Sequence, residues 1–135
     1  MTDHVGAERS VEALQAYLIV YLQSLPDLDR GAFVKRLSLD EGYMAAVLSV
    51  LHSTHDAMVA CLSEPDDETP SRVARVVDSP DLFDSDLANV ACFTLGRFSP
   101  AIVMDLDPAS AARALLRLGE LLAAAQARVS KIKLH

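Results

Sequence analysis

Residues 108–132 read PASAARALLRLGELLAAAQARVSKI, and their apolar positions repeat with a helical period. Spacings that alternate between four and three residues place one set of them on a single face of an α-helix. This seam consists of Ala111, Leu115, Leu118, Leu122, Ala125, Val129 and Ile132, and Leu116 and Leu121 widen it on either flank. The stretch predicts a long helix with one buried face, either in an antiparallel bundle or in a homodimer through this helix.

Two further long helices are predicted upstream. The first runs near 10–25, starts at the N-cap Ser10, ends before Pro26 and is apolar nearly all round. The second runs near 39–63, because Ser38 and Glu41 have the spacing of a capping box. Its apolar stripe consists of Met44, Val47, Leu48, Leu51, His55, Met58 and Leu62. Between them, a short helix over 29–37 is expected to bury Ala32, Phe33, Val34 and Leu37.

Four prolines beyond residue 65 follow a side chain that can cap a helix. The pairs are Thr69-Pro70, Ser79-Pro80, Ser99-Pro100 and Asp107-Pro108, and each fits a helix start with proline in its first position. They predict short helices over 70–78 and 80–98, whereas residues 100–106 fit either a helical turn or an extended segment. The prediction is an all-α, single-domain bundle of five to six helices over residues 1–135.

Composition narrows the class of protein. The chain of 135 residues is 51% apolar, which is enough for a single core and excludes global disorder. A net charge of -7 argues against binding to nucleic-acid phosphates. The helix that begins at Asp40 and Glu41 also lacks arginine and lysine side chains near its start, which a DNA-reading helix would use. Apolar runs such as Tyr17–Leu22 are far shorter than the roughly 20 residues of a membrane helix. A cytoplasmic protein with no membrane contact is predicted, and its Ala-, Leu- and Arg-rich composition is typical of bacteria.

No catalytic motif stands out. A Gly-x-Ser-x-Gly elbow, a Cys-x-x-Cys pair and a phosphate-binding glycine loop are all missing from the sequence, so neither an enzyme nor a cofactor is predicted. Cys61 and Cys92 each lie in an apolar run and are expected to act as small buried hydrophobes. A disulfide between them remains an alternative.

His52 and His55 lie three residues apart, on adjacent turns of one predicted helix. The main interpretation is one half-buried, hydrogen-bonded histidine (His55) and one surface histidine (His52). The alternatives are a metal or ligand pocket at these two residues, and a pH-responsive interface in which burial and Asp56 act on His55 in opposite directions.

Charge is distributed unevenly along the chain. Residues 64–107 carry ten acids and three bases, and residues 108–135 carry one acid and five bases. The acids Asp78, Asp81, Asp84 and Asp86 crowd one helix start, where they either complement the helix dipole or form a partner-binding surface. The sequence favours a non-catalytic module that binds or neutralises a basic protein, as an immunity protein, inhibitor or adaptor does. A ligand- or metal-binding bundle and a dimeric sensor or scaffold subunit are the alternatives.

Overall fold

The computed structural model describes residues 2–62 and 85–133, with side chains over 12–62 and 86–131. This part of the chain forms five helices and no strand, which confirms the prediction of an all-α bundle. Their bounds are α1 Thr2–Ser24, α2 Asp27–Leu39, α3 Glu41–Ala60, α4 Ser85–Ile102 and α5 Pro108–Lys133. The predicted helix over 70–78, together with Asp78, Asp81 and Asp84, lies outside the described residues.

The third and fourth helices form the centre of the bundle. Helix α3 packs against α1, α2 and α4, and α4 also packs against α1 and α5. One apolar cluster joins α1, α2 and α3 to the first half of α4. A second cluster joins the ends of α3 and α4 to α5. The chain thus has two neighbouring cores that are bridged by its two central helices.

Helix α1 begins eight residues before the predicted N-cap, so Ser10 lies inside the helix and not at its start. No proline occurs between Thr2 and Ser24, and the single glycine at position 6 costs a helix only about 1 kcal/mol. In α2, Phe33 and Leu37 are buried as predicted, but Ala32 and Val34 are exposed. Among the described helices, α2 packs chiefly against α3, and its buried residues are Phe33 and Leu37.

The predicted capping box at the start of α3 is wrong. Ser38 belongs to α2, where its hydroxyl donates to the Val34 carbonyl oxygen at 3.0 Å. The cap is Asp40, whose Oδ1 accepts from the Tyr43 N–H at 3.1 Å. Asp40 is the one residue between α2 and α3 and has an extended backbone, which is the usual conformation of an N-cap residue.

The buried face of α3 is broader than the predicted stripe. Val47, Leu51 and Met58 are fully buried, whereas Leu48 is 43% exposed. The face also takes in Tyr43, Ala46, Val50, Thr54 and Ala57. Helix α3 packs against three described helices, α1, α2 and α4, so a broad part of its surface is buried. It ends at Ala60, three residues before the predicted end.

Pro100 lies inside the last turn of α4, which corrects the prediction that Ser99-Pro100 starts a helix. The Ser99 hydroxyl donates to the Leu95 carbonyl oxygen one turn earlier. Proline lacks the N–H group that donates to the carbonyl oxygen one turn earlier, but in the last turn of a helix only one such hydrogen bond is lost. The helix therefore continues past Pro100 to Ile102. Residues 103–105 form a turn, in agreement with the helical alternative. Asp107 caps α5 as predicted, since its Oδ2 accepts from the Ser110 N–H at 3.1 Å.

The buried face of α5 is rotated from the predicted seam but overlaps it, since Ala111 and Leu122 of the seam are partly buried against the second apolar cluster. Ala114, Leu118, Leu121 and Ala125 are at most 2% exposed. Leu118 and Ala125 belong to the seam, but Leu115 is 43% exposed and the expected flank residue Leu116 is 72% exposed. Among the described helices, α5 packs against α4 and the end of α3, so the face toward α4 is covered, whereas Leu116 on the opposite face is exposed.

Candidate functional site

The corner between α1 and α2 is held by one arginine. The Arg30 Nη2 atom donates to the Leu25 carbonyl oxygen and to Asp27 Oδ1, each at 3.0 Å. Pro26 precedes α2 and accepts the Arg30 N–H at its carbonyl oxygen. These contacts hold the turn between α1 and α2, and the ring of Phe33 meets that of Tyr21 edge-on at 5.5 Å.

A cleft of about 500 Å³ opens beside this corner, between α1, α2 and the start of α4. Its aromatic side consists of Tyr21 and Phe33, which are 5% and 6% exposed. Its polar side carries the exposed carboxylates of Asp29 and Asp86. The described lining is completed by Leu25, Ala32, Arg36 and Asn89.

Among the described residues that line the cleft, charge is mixed and negative on balance. Two carboxylates face one guanidinium, that of Arg36, whose central carbon lies 3.6 Å from the centre of the Tyr43 ring. That contact holds the Arg36 cation over an aromatic face. Asn89 adds an amide that can both donate and accept. Aromatic rings beside carboxylates suit a cationic group on an apolar stem, such as the side chain of lysine or arginine.

Of the four residues predicted to bind a partner, Asp86 is the one that lies in the described part of the chain. Asp86 lies exposed in the first turn of α4 and lines the cleft. Asp29, Asn89, Tyr21 and Phe33 were not predicted as site residues. The sequence marks Tyr21 and Phe33 only as apolar positions, and Asp29 only as an acid near a helix start. Their meeting depends on how α1, α2 and α4 pack together.

The two histidines make separate contacts. His52 Nδ1 lies 3.3 Å from Asp56 Oδ2 at the surface, and His55 Nδ1 lies 2.8 Å from the Tyr17 hydroxyl. Burial lowers the pKa of His55, while nearby Asp56 raises it and His52 lowers it. Within residues 2–62 and 85–133, no three His, Cys, Asp or Glu side chains are grouped so as to hold a metal ion. Neither histidine is among the residues found to line the cleft. A metal or ligand at these residues stays a prediction.

Both cysteines are free thiols. Cys61 is fully buried in the second apolar cluster, and Cys92 is partly buried against it. Burial raises the pKa of the Cys92 thiol, which keeps it in its poorly nucleophilic form. The two cysteines therefore act as small hydrophobes in this fold.

Within the described ranges, none of the five helices combines the length and hydropathy needed to cross a bilayer. Comparisons with family models, with curated proteins and with solved structures find no match to this chain. The cleft and the exposed helix faces are therefore the features that bear on function.

Proposed function

We propose that this protein is a non-catalytic binding module that receives a basic segment of a partner protein in the cleft between α1, α2 and α4. One observation carries the proposal: the carboxylates of Asp29 and Asp86 stand beside the aromatic side formed by Tyr21 and Phe33. A lysine or arginine side chain would place its apolar stem against the rings and its charge between the carboxylates.

The charge of the whole chain supports the same partner chemistry. A net charge of -7 attracts a basic protein over distance and speeds its approach. Such binding would cover a basic surface of the partner, as an inhibitor, an immunity protein or an adaptor does. The proposal places the protein in the cytoplasm, a reducing setting in which free thiols persist.

The test is a matched pair of double variants. Asp29→Asn/Asp86→Asn removes two carboxylates from the cleft, and Glu12→Gln/Asp105→Asn removes two exposed carboxylates elsewhere. Binding of a fluorescent nona-arginine peptide is followed by anisotropy. The cleft variant should weaken binding about tenfold and the control about twofold, with a larger gap at about 50 mM than at about 500 mM salt. Equal weakening by the two variants would show general charge attraction and refute the site.

A second variant tests the cleft without changing charge. Ala32 is exposed and lines the cleft, so Ala32→Trp should fill it while leaving the core intact. The peptide should then bind at least fivefold more weakly, and a natural partner captured by the unaltered chain should be lost. Retention of peptide and partner by Ala32→Trp would exclude the cleft as the binding site.

A further inference from the structure

The face of α5 opposite its buried side carries an uncharged stripe. Ala112, Leu116, Gly119 and Ala123 are spaced four, three and four residues apart, and all are exposed. This spacing puts them on one helix face. Leu116 is the large side chain of the stripe and is 72% exposed. A Cβ atom added at Gly119 would meet nothing within 4 Å, so the surface around it is open.

The flanks of this outer stripe differ from one another. Leu115, which is 43% exposed, and Leu122, which is partly buried against the second apolar cluster, lie seven residues apart along one flank. Arg113 and Glu120 lie seven residues apart along the other flank, and both are exposed. One flank is therefore apolar, and the other carries one charge of each sign.

We infer that the outer stripe of α5 binds the same stripe of a second copy in antiparallel orientation. With the two-fold axis level with residues 117 and 118, Leu116 lies over Gly119 of the second copy, and Ala112 lies over its Ala123. In an antiparallel helix pair, the apolar flank of one helix lies against the apolar flank of the other, and the charged flank lies against the charged flank. Leu115 then meets the second copy's Leu122, and Arg113 meets the second copy's Glu120, twice each by symmetry.

Charge complementarity selects this orientation. A parallel pair would bring the charged flank of each copy against the apolar flank of the other and would keep Arg113 apart from Glu120 of the second copy. The stripe from 112 to 123 is about 16 Å long at 1.5 Å per residue. Such a short contact belongs among small, weak interfaces, so we expect a dimer with Kd of about 10–100 μM. The inference uses α5 alone and does not depend on the cleft.

Sedimentation equilibrium of the full chain between about 1 and about 500 μM tests the dimer. Leu116→Glu should give a monomer at all these concentrations, with an unchanged helical spectrum because Leu116 lies at the surface. The matched control is Leu28→Glu on α2, where the leucine is 89% exposed, and this variant should dimerise like the unaltered chain. A monomeric unaltered chain, or a dimer that survives Leu116→Glu, would overturn the inference.

A charge swap tests the orientation. Arg113→Glu and Glu120→Arg, each alone, should weaken the dimer at least fivefold, since each brings like charges together twice. The double variant Arg113→Glu/Glu120→Arg should restore the original Kd to within about twofold. A double variant that is no tighter than the singles would overturn the antiparallel arrangement.

Discussion

The hydroxyl of Tyr17 on α1 lies 2.8 Å from Nδ1 of His55 on α3, a hydrogen bond between residues 38 positions apart in the sequence. The Tyr17 ring also lies 4.5 Å from that of Phe98 on α4. Tyr17 on α1 thus contacts both α3, through His55, and α4, through Phe98. Burial raises the pKa of Tyr17 and lowers that of His55, so the packed structure favours the uncharged form of both.

The first prediction concerns pH. Because burial lowers the pKa of His55 in the folded chain below its ordinary value of 6.5, the unfolded chain takes up this proton more readily. The contribution of neutral His55 to stability is complete above about pH 7.5 and is lost as the pH falls from about 6.5 through the lower folded pKa. Tyr17, Asp56 and His52 are the titratable groups that act on His55 in the described structure, and Asp56 opposes the effect.

Urea unfolding between about pH 8 and about pH 5 checks this pH dependence. The free energy of unfolding of the unaltered chain, minus that of His55→Gln, should fall as the pH falls, because the other groups cancel in the difference. His52→Gln is the control, since His52 is exposed and paired with Asp56. A difference for His55→Gln that stays flat across the range would contradict the prediction.

The second prediction separates the Tyr17 hydroxyl from its ring. Tyr17→Phe removes the hydrogen bond to His55 but keeps the contact with Phe98, so it should lower the free energy of unfolding by about 1 kcal/mol. Tyr17→Ala also removes a buried ring and should cost about 3–5 kcal/mol. Thermal and urea unfolding of both variants measure the loss caused by removing the hydroxyl alone and the loss caused by removing the whole ring. Equal losses would mean that the ring contributes nothing beyond the hydroxyl.

The third prediction concerns the α2–α3 junction. Asp40→Ala removes the side chain that accepts the Tyr43 N–H, and should destabilise the fold by about 1 kcal/mol. Ser38→Ala removes a hydroxyl that bonds back within α2, and should change stability by less than about 0.5 kcal/mol. Denaturant unfolding compares the two. If Ser38→Ala were the more damaging variant, the capping box predicted from sequence would be correct after all.

The fourth prediction compares two buried threonines. Thr54 Oγ1 is buried and makes no hydrogen bond in the described structure, whereas Thr94 Oγ1 donates to the Val90 carbonyl oxygen at 2.8 Å. Thr54→Val should therefore raise the free energy of unfolding by about 1 kcal/mol, because it removes a buried polar atom that lacks a partner. Thr94→Val should be neutral or cost up to about 1 kcal/mol. Calorimetric melting points rank the variants, and a lower melting point for Thr54→Val would count against this account.

The fifth prediction uses two glycines inside helices. A Cβ atom at Gly31 would meet nothing within 4 Å, so Gly31→Ala should stabilise the fold by about 0.5–1 kcal/mol through helix propensity. At Gly42 the added atom would lie 3.3 Å from Asp40 Oδ1, the oxygen that caps α3. Gly42→Ala should raise the free energy of unfolding by less than Gly31→Ala does, because the added methyl group presses on the capping oxygen of Asp40. Urea unfolding measures both, and an equal gain at the two positions would show that the cap tolerates the contact.

Contacts between residues three or four apart were predicted well from the sequence. The bounds of α5 and its Asp107 cap agree with prediction, because capping and helical periodicity depend on neighbours along the chain. The Ser38 cap failed although it has the same kind of signal. Helix α2 continues to Leu39 and so keeps Ser38 inside it, and Asp40, two residues further on, caps α3 instead.

What the sequence determined by itself is the helical class, the apolar character of α5 and the uneven distribution of charge. Tertiary packing decided which side of α5 is buried: Leu118 and Leu121 face α4 and the end of α3, while Leu115 and Leu116 are left outside. Tertiary packing also placed Asp86 of α4 in the same cleft as Asp29 and Phe33 of α2. Periodicity shows that a helix has an apolar side, but the rotation of that helix is set by the neighbours that cover it, and these come from distant parts of the chain.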